Sequence, residues 1–182
     1  MVFVCTDKHY LEWFSTVKTK LEILISLKIK LLFINKTEKG WIREGQEEYL
    51  NRLKRYISVE VKEIESSAGA KRGKADTVSD ESDKILTQLK PGDYLILLDE
   101  NGKECSSENF AKWLNHKFIS IQGDLVFVVG GAYGFSEALK QRASEKISLS
   151  QMTFTHQMVR IIFVEQLYRA MTILRNEPYH HS

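Results

Sequence analysis

Three short runs of apolar residues constrain the fold of this chain more than any other feature. They are residues 29–35 (IKLLFIN), 94–98 (YLILL) and 125–129 (LVFVV). Runs of this length that are apolar at nearly every position are typical of strands buried on both faces, as in a parallel sheet. The segments between them carry apolar residues at helical spacing, so the sequence predicts an α/β fold with a mainly parallel sheet.

Weaker patterns predict the remaining elements. Residues 59–64 and 146–149 are interpreted as shorter strands, and residues 99–102 (DENG) have the composition of a turn. The longest helix is predicted to run from about His156 to Arg175, with Thr155 as its N-cap. Other helices are predicted over residues 42–57, 78–89, 107–117 and 136–143, the last two with Ser106 or Ser107 and with Ser136 as N-caps.

Composition narrows the class of protein. With 182 residues, 43% hydrophobic and 27% charged, the chain suits a single globular domain. A net charge of +2 does not by itself indicate a nucleic-acid binder, so any RNA contact must come from a local patch such as the basic loop 66–74. The two cysteines lack the spacing of a zinc site, and no apolar run is long enough for a membrane span. We therefore expect a cytoplasmic protein without a metal.

Ligands of parallel α/β sheets bind beyond the carboxyl ends of the strands, which directs attention to three segments: Leu98 onward, Gly130 onward and Leu149 onward. Residues 130–134 (GGAYG) match neither the dinucleotide-binding glycine pattern nor a Walker loop, so a tight turn and a cofactor loop stay equally open. Residues 149–156 (LSQMTFTH) combine hydrogen-bonding and apolar side chains that suit a flat purine and a thioether. An ordinary loop before a capped helix is the alternative.

Four longer stretches carry a resemblance to a known family. They are IKLLFINKT, YLILLDENGKECSSENFA, VVGGAYGFSEAL and ISLSQMTFTHQMVRIIFVEQLYRAMTILRNEPYHH, which occur in this order over residues 29–181. The pattern H-Q-x-V-R…E-Q-x-Y-R-A…Y-H within the last stretch is far more specific than the glycines. Together they resemble the ribosomal RNA large subunit methyltransferase H family, of the SPOUT class.

The resemblance implies a fold and an activity. The fold is a SPOUT-type α/β domain with helices on both faces of the sheet and a deep C-terminal trefoil knot, assembled as a homodimer. The activity is methylation of N3 of a pseudouridine in 23S rRNA on the assembled 70S ribosome, with S-adenosylmethionine as the methyl donor. By position in the family pattern, the residues implied to bind the cofactor are Leu98, Gly130, Leu149, Ser150, Gln151, Met152, Thr153 and Phe154.

The same resemblance implies that His156, Tyr179 and His180 are catalytic. A neutral histidine can accept the proton that N3 loses, although His156 also suits a structural place at a helix start. Arg160 and Arg169 lie nine positions apart and face opposite sides of the helix, so one is free for RNA or substrate and the other for an ion pair across the dimer, unless both make structural ion pairs.

The chain departs from the family pattern at its two ends. His181 stands where arginine or lysine is common, which removes a permanent positive charge. Family members usually begin near the position of Leu27, so residues 1–27, with an amphipathic helical pattern, form an N-terminal extension to a methyltransferase domain of residues 28–182. We expect that Leu27 marks the start of the translated protein.

Three other interpretations stay open. Another SPOUT methyltransferase would act on tRNA or on a different rRNA base without needing the Tyr179-His180 ending. A non-catalytic ribosome-binding factor on the same fold would be expected to lose the cofactor loop, whereas residues 149–154 are intact. A dehydrogenase is disfavoured because the glycine pattern is wrong.

Overall fold

The computed structural model describes residues 28–66 and 73–180. The predicted helix within residues 1–27 and most of the basic loop lie outside the described residues. The five strands are β1 (Lys28–Ile34), β2 (Ser58–Ile64), β3 (Tyr94–Lys103), β4 (Leu125–Val129) and β5 (Glu145–Ile147). The five helices of the described residues are α1 (Trp41–Leu53), α2 (Lys74–Leu86), α3 (Ser107–Ser120), α4 (Glu137–Arg142) and α5 (His156–Leu174).

All five strands form one parallel sheet in the order β2-β1-β4-β3-β5. The predicted α/β class with a parallel sheet is therefore confirmed. The order explains why three runs are apolar throughout: β1, β4 and β3 are the inner strands, and each has neighbours on both sides and helices over both faces. The predicted trefoil knot remains a prediction.

Side chains alternate between two cores, one on each face of the sheet. In β4, Leu125, Phe127 and Val129 face the larger core, whereas Val126 and Val128 face the smaller one. Helices α1, α3 and α5 cover the larger core, and α2 and α4 cover the smaller one. Helices on both faces of the sheet, as expected for this fold, are thus confirmed.

Most helix starts agree with the caps predicted from sequence. The hydroxyls of Ser106, Ser136 and Thr155 each accept a hydrogen bond from a backbone N–H in the first turn, at 3.3 Å. The predicted turn at residues 99–102 lies inside β3 as an irregularity, because the pairing with β5 shifts between Leu98 and Lys103. The fifth strand is shorter than predicted and begins one residue earlier.

Gly102 lies at a close crossing of two backbone segments. A Cβ atom built on Gly102 would lie 2.5 Å from the carbonyl carbon of Ile147 and 2.7 Å from the backbone nitrogen of Ser148. Backbone atoms cannot move aside as a flexible side chain can, so only glycine fits. The backbone N–H of Ser148 also donates to the carbonyl of Lys103 at 3.1 Å. This contact fixes the path of the chain as it leaves β5.

We predict that Gly102→Ala destabilises the protein, because the added methyl group forces these two segments apart. The expected loss of unfolding free energy is about 3 kcal/mol, the upper part of the range for overpacking. Gly92→Ala is the matched control, since nothing lies within 4 Å of a Cβ atom at that position. Urea unfolding measures both variants, and equal midpoints for the two would contradict the account of the crossing.

Candidate functional site

A cleft of about 480 Å³ lies at the carboxyl edge of the sheet, where β4 and β5 end and the pairing of β3 becomes irregular. Parallel α/β sheets bind ligands at this edge, where loops from several strands meet. Three segments form most of the wall: residues 98–101 in the irregular part of β3, residues 129–135 from the end of β4 and residues 147–154 from the end of β5. The first turn of α5 closes one side with His156 and Val159.

The cleft collects the residues that the family resemblance implies for a cofactor, with one exception. Leu98, Gly130, Leu149, Ser150, Met152, Thr153 and Phe154 all line it. Gln151 does not line the cleft, since its side-chain amide donates to Glu104 at 3.3 Å. A cofactor role for Gln151 would thus rest on its backbone, and the assignments as a set remain proposals.

The loop after β5 is held by its own short hydrogen bonds. The Ser148 hydroxyl donates to the carbonyl of Ser150 at 2.9 Å, and the backbone N–H of Met152 donates to the Ser150 hydroxyl at 2.9 Å. Met152 is 74% exposed and Phe154 is 37% exposed, although both are large and apolar. The loop therefore presents an apolar wall that the described part of the chain leaves uncovered.

The glycines of the loop after β4 are required by packing inside the protein. A Cβ atom at Gly130 would lie 2.8 Å from the Phe135 ring, and one at Gly131 would lie 2.5 Å from Oε2 of Glu81. Gly134 has a φ of 79°, which only glycine adopts readily. Packing against Phe135 therefore explains Gly130 without the close approach of a ligand.

Glu81 of α2 lies beneath this loop and was not singled out from the sequence. It is 5% exposed, and its Oε2 atom has no hydrogen-bond partner. Burial raises the pKa of this carboxyl group, because desolvation disfavours its charged form. Its neighbour Ser82 accepts a hydrogen bond from the backbone N–H of Ser136 at 3.0 Å. Helix α2 thus supports both ends of the glycine loop.

Three polar residues of the cleft were also missed. Asp99, Glu100 and Asn101 line it, whereas the sequence indicated only a turn there. The signal was available, because these residues directly follow the apolar run of β3, at the edge where ligands of such sheets bind. Glu100 also accepts a hydrogen bond from the Thr153 hydroxyl at 3.4 Å, which joins the irregular part of β3 to the loop after β5.

His156 begins α5 and faces the cleft. Burial lowers the pKa of its imidazole below the ordinary value of 6.5, and the nearby positive charge of Arg160 lowers it further. The side-chain nitrogen of Gln157 lies 3.3 Å from Nε2 of His156. An amide nitrogen can only donate, so Nε2 accepts and the ring proton lies on Nδ1. His156 is therefore a neutral imidazole at neutral pH.

Arg160 is a structural residue. It is fully buried and donates to the carbonyl of Ile34 at 2.5 Å and to the hydroxyl of Thr37 at 2.9 Å. Its guanidinium lies 5.0 Å from the centre of the Phe33 ring. Desolvation lowers its pKa to about 10. The interpretation in which Arg160 contacts RNA is wrong, because the side chain cannot reach the surface.

Tyr179 and His180 lie outside the cleft, in a cluster with α1, α3 and α5. The Tyr179 hydroxyl donates to Glu165 at 3.2 Å, and Nε2 of His180 lies 2.5 Å from Glu108. Arg169 forms an ion pair with Glu165 of its own chain at 2.5 Å. Arg169 is 13 positions after His156, or about 20 Å along the helix. The three residues implied to be catalytic are thus not brought together within the described chain.

Arg169 also favours one tautomer of the His180 ring. Its guanidinium nitrogen lies 3.4 Å from Nδ1 of His180. A guanidinium can only donate, so Nδ1 accepts and the ring proton lies on Nε2, where it faces Glu108. The pKa of the Glu108 carboxyl falls to about 2, chiefly because it accepts hydrogen bonds from the Ser106 hydroxyl and a backbone N–H, with a further contribution from His180. The tail is therefore held to α3 and α5 by specific polar contacts.

Membrane-spanning helices and metal-binding groups are both absent from residues 28–66 and 73–180. No helix there is both long enough and apolar enough to cross a membrane. The same residues contain no group of three or more His, Cys, Asp or Glu side chains arranged to hold a metal ion.

Comparisons with known proteins place the chain in a family. The family model described as "Predicted SPOUT methyltransferase" matches residues 27–180. Proteins named ribosomal RNA large subunit methyltransferase H match over 157 residues, which is 86% of this chain and 100% of each relative. They are 54% identical in Parabacteroides distasonis and 46% identical in Porphyromonas gingivalis strain ATCC 33277.

A solved structure, a probable methyltransferase from Bordetella pertussis Tohama I, aligns with a TM-score of 0.49 and 10% identity, over 85% of this chain and 99% of that one. A likeness of this size supports no argument, and the assignment depends on the two sequence comparisons. The family model and relatives of such high identity leave one conclusion: the chain belongs to the SPOUT methyltransferase family.

Proposed function

We propose that this protein transfers a methyl group from S-adenosylmethionine to N3 of a pseudouridine in 23S rRNA, on the assembled 70S ribosome in the cytoplasm. The observation that carries the proposal is the cleft, where the segments after three parallel strands meet. Support for an rRNA substrate comes from the names of the relatives. The modest net charge of +2 suits an enzyme that docks on a large preformed surface and needs few phosphate contacts.

The residues of the cleft fit the methyl donor. About 480 Å³ is enough for a ligand of nucleoside size. Met152 and Phe154 offer exposed apolar surface to a purine and a thioether, while Asp99 and Glu100 offer carboxylates to hydroxyls or an ammonium group. Leu98, Gly130 and the loop 149–154 would hold this group, with Gln151 acting through its backbone. When bound, S-adenosylmethionine supplies an electrophilic methyl group.

The acceptor nitrogen N3 carries a proton that must leave as the new N–CH₃ bond forms. His156 is the proposed acceptor, because it lines the cleft and its lowered pKa keeps the imidazole neutral. Nε2 is the atom that receives the proton, since Nδ1 already carries one, and the hydrogen bond that Nε2 accepts from Gln157 is released in this step. Tyr179 and His180 are proposed to act from their cluster with α1, α3 and α5, which lies outside the cleft.

A homodimer is part of the proposal. Trp41 is 64% exposed, and it follows the loop that Gln157 of α5 holds through Lys36 and Glu38. Tyr133, Met152 and Phe154 add exposed apolar surface at the cleft. Large apolar side chains that are exposed in this way are typical of an interaction surface. A second copy of the chain, seated here, would cover it.

We predict that His156→Asn lowers kcat/KM for methyl transfer by at least about 100-fold, the size expected when a general base is lost. His116→Asn, on the exposed side of α3, is the matched control and should keep full activity. The acid limb of the wild-type pH profile should lie below pH 6.5, because a lowered pKa keeps the imidazole unprotonated to lower pH. A limb above that value would exclude His156 as the base.

Analytical ultracentrifugation tests the homodimer. The wild-type protein should sediment at about twice its chain mass of 21.1 kDa. Trp41→Lys should shift the equilibrium to monomer, because it places a charge in a surface that becomes buried. Ile119→Lys changes a side chain that is 51% exposed near the end of α3 and should not. A wild-type monomer at micromolar concentration would contradict the homodimer.

Methyl transfer from labelled S-adenosylmethionine tests the function itself, with three acceptors compared: 70S ribosomes lacking the modification, free 23S rRNA and tRNA. We expect label only with ribosomes, located at a pseudouridine of 23S rRNA. Label in tRNA would contradict the substrate and keep the methyltransferase. No transfer to any acceptor, together with no heat of S-adenosylmethionine binding in calorimetry, would favour a ribosome-binding factor.

A further inference from the structure

A second cavity of about 300 Å³ lies beside the cofactor cleft and has no role in the function described so far. The two spaces share three consecutive residues, Ile147, Ser148 and Leu149. This stretch of chain borders both spaces. A group bound in the second cavity would therefore lie next to a ligand of the cleft, as an acceptor must lie next to a methyl donor.

The same face of α5 lines both spaces in turn. His156 and Val159 border the cleft, and Ile162 and Gln166 border the second cavity. Spacings of three and four residues place these side chains along one side of the helix. The two spaces thus lie one after the other along this face of α5, from its start to its middle.

The lining of the second cavity suits a pyrimidine base. Phe110, Leu149 and Ile162 offer apolar surface to the flat faces of a ring. Ser106, Ser107 and Gln166 offer polar atoms to its edge. Splayed bases of RNA loops are recognised in this way, by contact with the ring faces and hydrogen bonds to the ring edge. About 300 Å³ accommodates one base with part of its sugar.

The hydrogen bonds of Gln166 determine which of its atoms a ligand can use. The Ser107 hydroxyl donates to Oε1 of Gln166 at 2.9 Å, and Nε2 of Gln166 donates to Glu165 at 2.7 Å. With the amide oriented in this way, Oε1 retains one lone pair, and the Ser107 oxygen retains its own lone pairs. Both residues therefore present hydrogen-bond acceptors and would bind an N–H group.

This arrangement is stabilised from the tail. The Oε1 atom of Glu165 accepts from the Tyr179 hydroxyl at 3.2 Å and from Arg169 at 2.5 Å, while Oε2 accepts from Gln166. A continuous chain of hydrogen bonds thus joins Tyr179 to Ser107. This chain connects Tyr179 to the second cavity. It also fixes the orientation of the Gln166 amide before a base binds.

Pseudouridine differs from uridine in just this respect. Its sugar is attached through carbon, so its ring has a free N1–H in addition to N3–H. We infer that the second cavity binds the acceptor base, with Ser107 and Gln166 accepting the N1–H of pseudouridine while N3 faces the cleft. Uridine offers no N–H at this place and leaves the two acceptors unpaired. The inference rests on the proposed function and adds the residues that select the base.

The test compares two acceptors, ribosomes that contain the pseudouridine and ribosomes that carry uridine at the same position. The wild-type enzyme should prefer pseudouridine by at least about 100-fold in kcat/KM, because a site built to bond an N–H rejects an analogue without it. In Ser107→Ala and Gln166→Leu this preference should fall at least about tenfold, the effect of one lost hydrogen bond. Transfer to pseudouridine should fall while transfer to uridine stays constant.

Two further measurements separate base selection from a structural effect. The affinity for S-adenosylmethionine, measured by calorimetry, and the midpoint of thermal unfolding should remain unchanged in both variants. Ser120→Ala and Gln122→Leu are the matched controls and should keep the wild-type preference. They alter the same residue types at exposed positions, since Ser120 is the last residue of α3 and Gln122 lies two residues after it.

Three results would overturn the inference. A wild-type preference retained by both variants would show that these residues do not select the base. An equal loss of transfer to both acceptors, or a parallel loss of affinity for S-adenosylmethionine, would assign Ser107 and Gln166 a structural role. Failure of the wild-type enzyme to methylate pseudouridine-containing ribosomes would contradict the proposed function itself, and the inference with it.

Discussion

The crossing of Gly102 against Ile147 and Ser148 is the contact on which the rest of the site depends. Two backbone segments meet there at a distance that no side chain permits. Because the chain leaves β5 through this crossing, the loop 148–155 lies against the second half of β3 and becomes one wall of the cleft. Its first residues, Ser148 and Leu149, also line the second cavity. One steric constraint thus places both binding spaces.

Helix α5 organises the remainder of the site. Its first turns are anchored by buried polar side chains, since Gln157 bonds the backbone at Lys36 and Glu38, and Arg160 bonds the end of β1. Its middle borders the second cavity through Ile162 and Gln166 and holds the tail through Glu165, and Arg169 one turn later pairs with Glu165. The pattern H-Q-x-V-R…E-Q-x-Y-R-A therefore contains residues of three kinds along α5: residues that anchor the helix, residues that border the second cavity and residues that contact the tail. Such a division explains why one helix carries so many polar residues that face inward.

The sequence predicts local structure well and long-range contacts poorly. The inner strands were predicted to within a residue at their starts, because burial on both faces leaves a continuous apolar run. The three caps were predicted because Ser106, Ser136 and Thr155 satisfy neighbouring N–H groups, a purely local interaction. The strand order and the crossing at Gly102 depend on segments far apart in the chain, and no local pattern encodes them.

The site shows the same contrast. The family resemblance identified the loop 149–154, yet it did not indicate that the side chain of Gln151 turns away to Glu104. The resemblance implied that Gly130 binds the cofactor, yet it did not indicate that Phe135 and Glu81 occupy the space beside Gly130 and Gly131. The chain of hydrogen bonds from Tyr179 to Ser107 joins residues 72 positions apart, which only the folded structure brings together.

A crystal structure with S-adenosylhomocysteine bound tests the central claim most directly, since it shows how the ligand lies relative to Leu149, which lines both the cleft and the second cavity. The account predicts adenine against the loop 149–154 and the sulfur atom directed toward the second cavity. Density for the ligand outside the cleft, or a sulfur atom directed away from Leu149 and the second cavity, would contradict it.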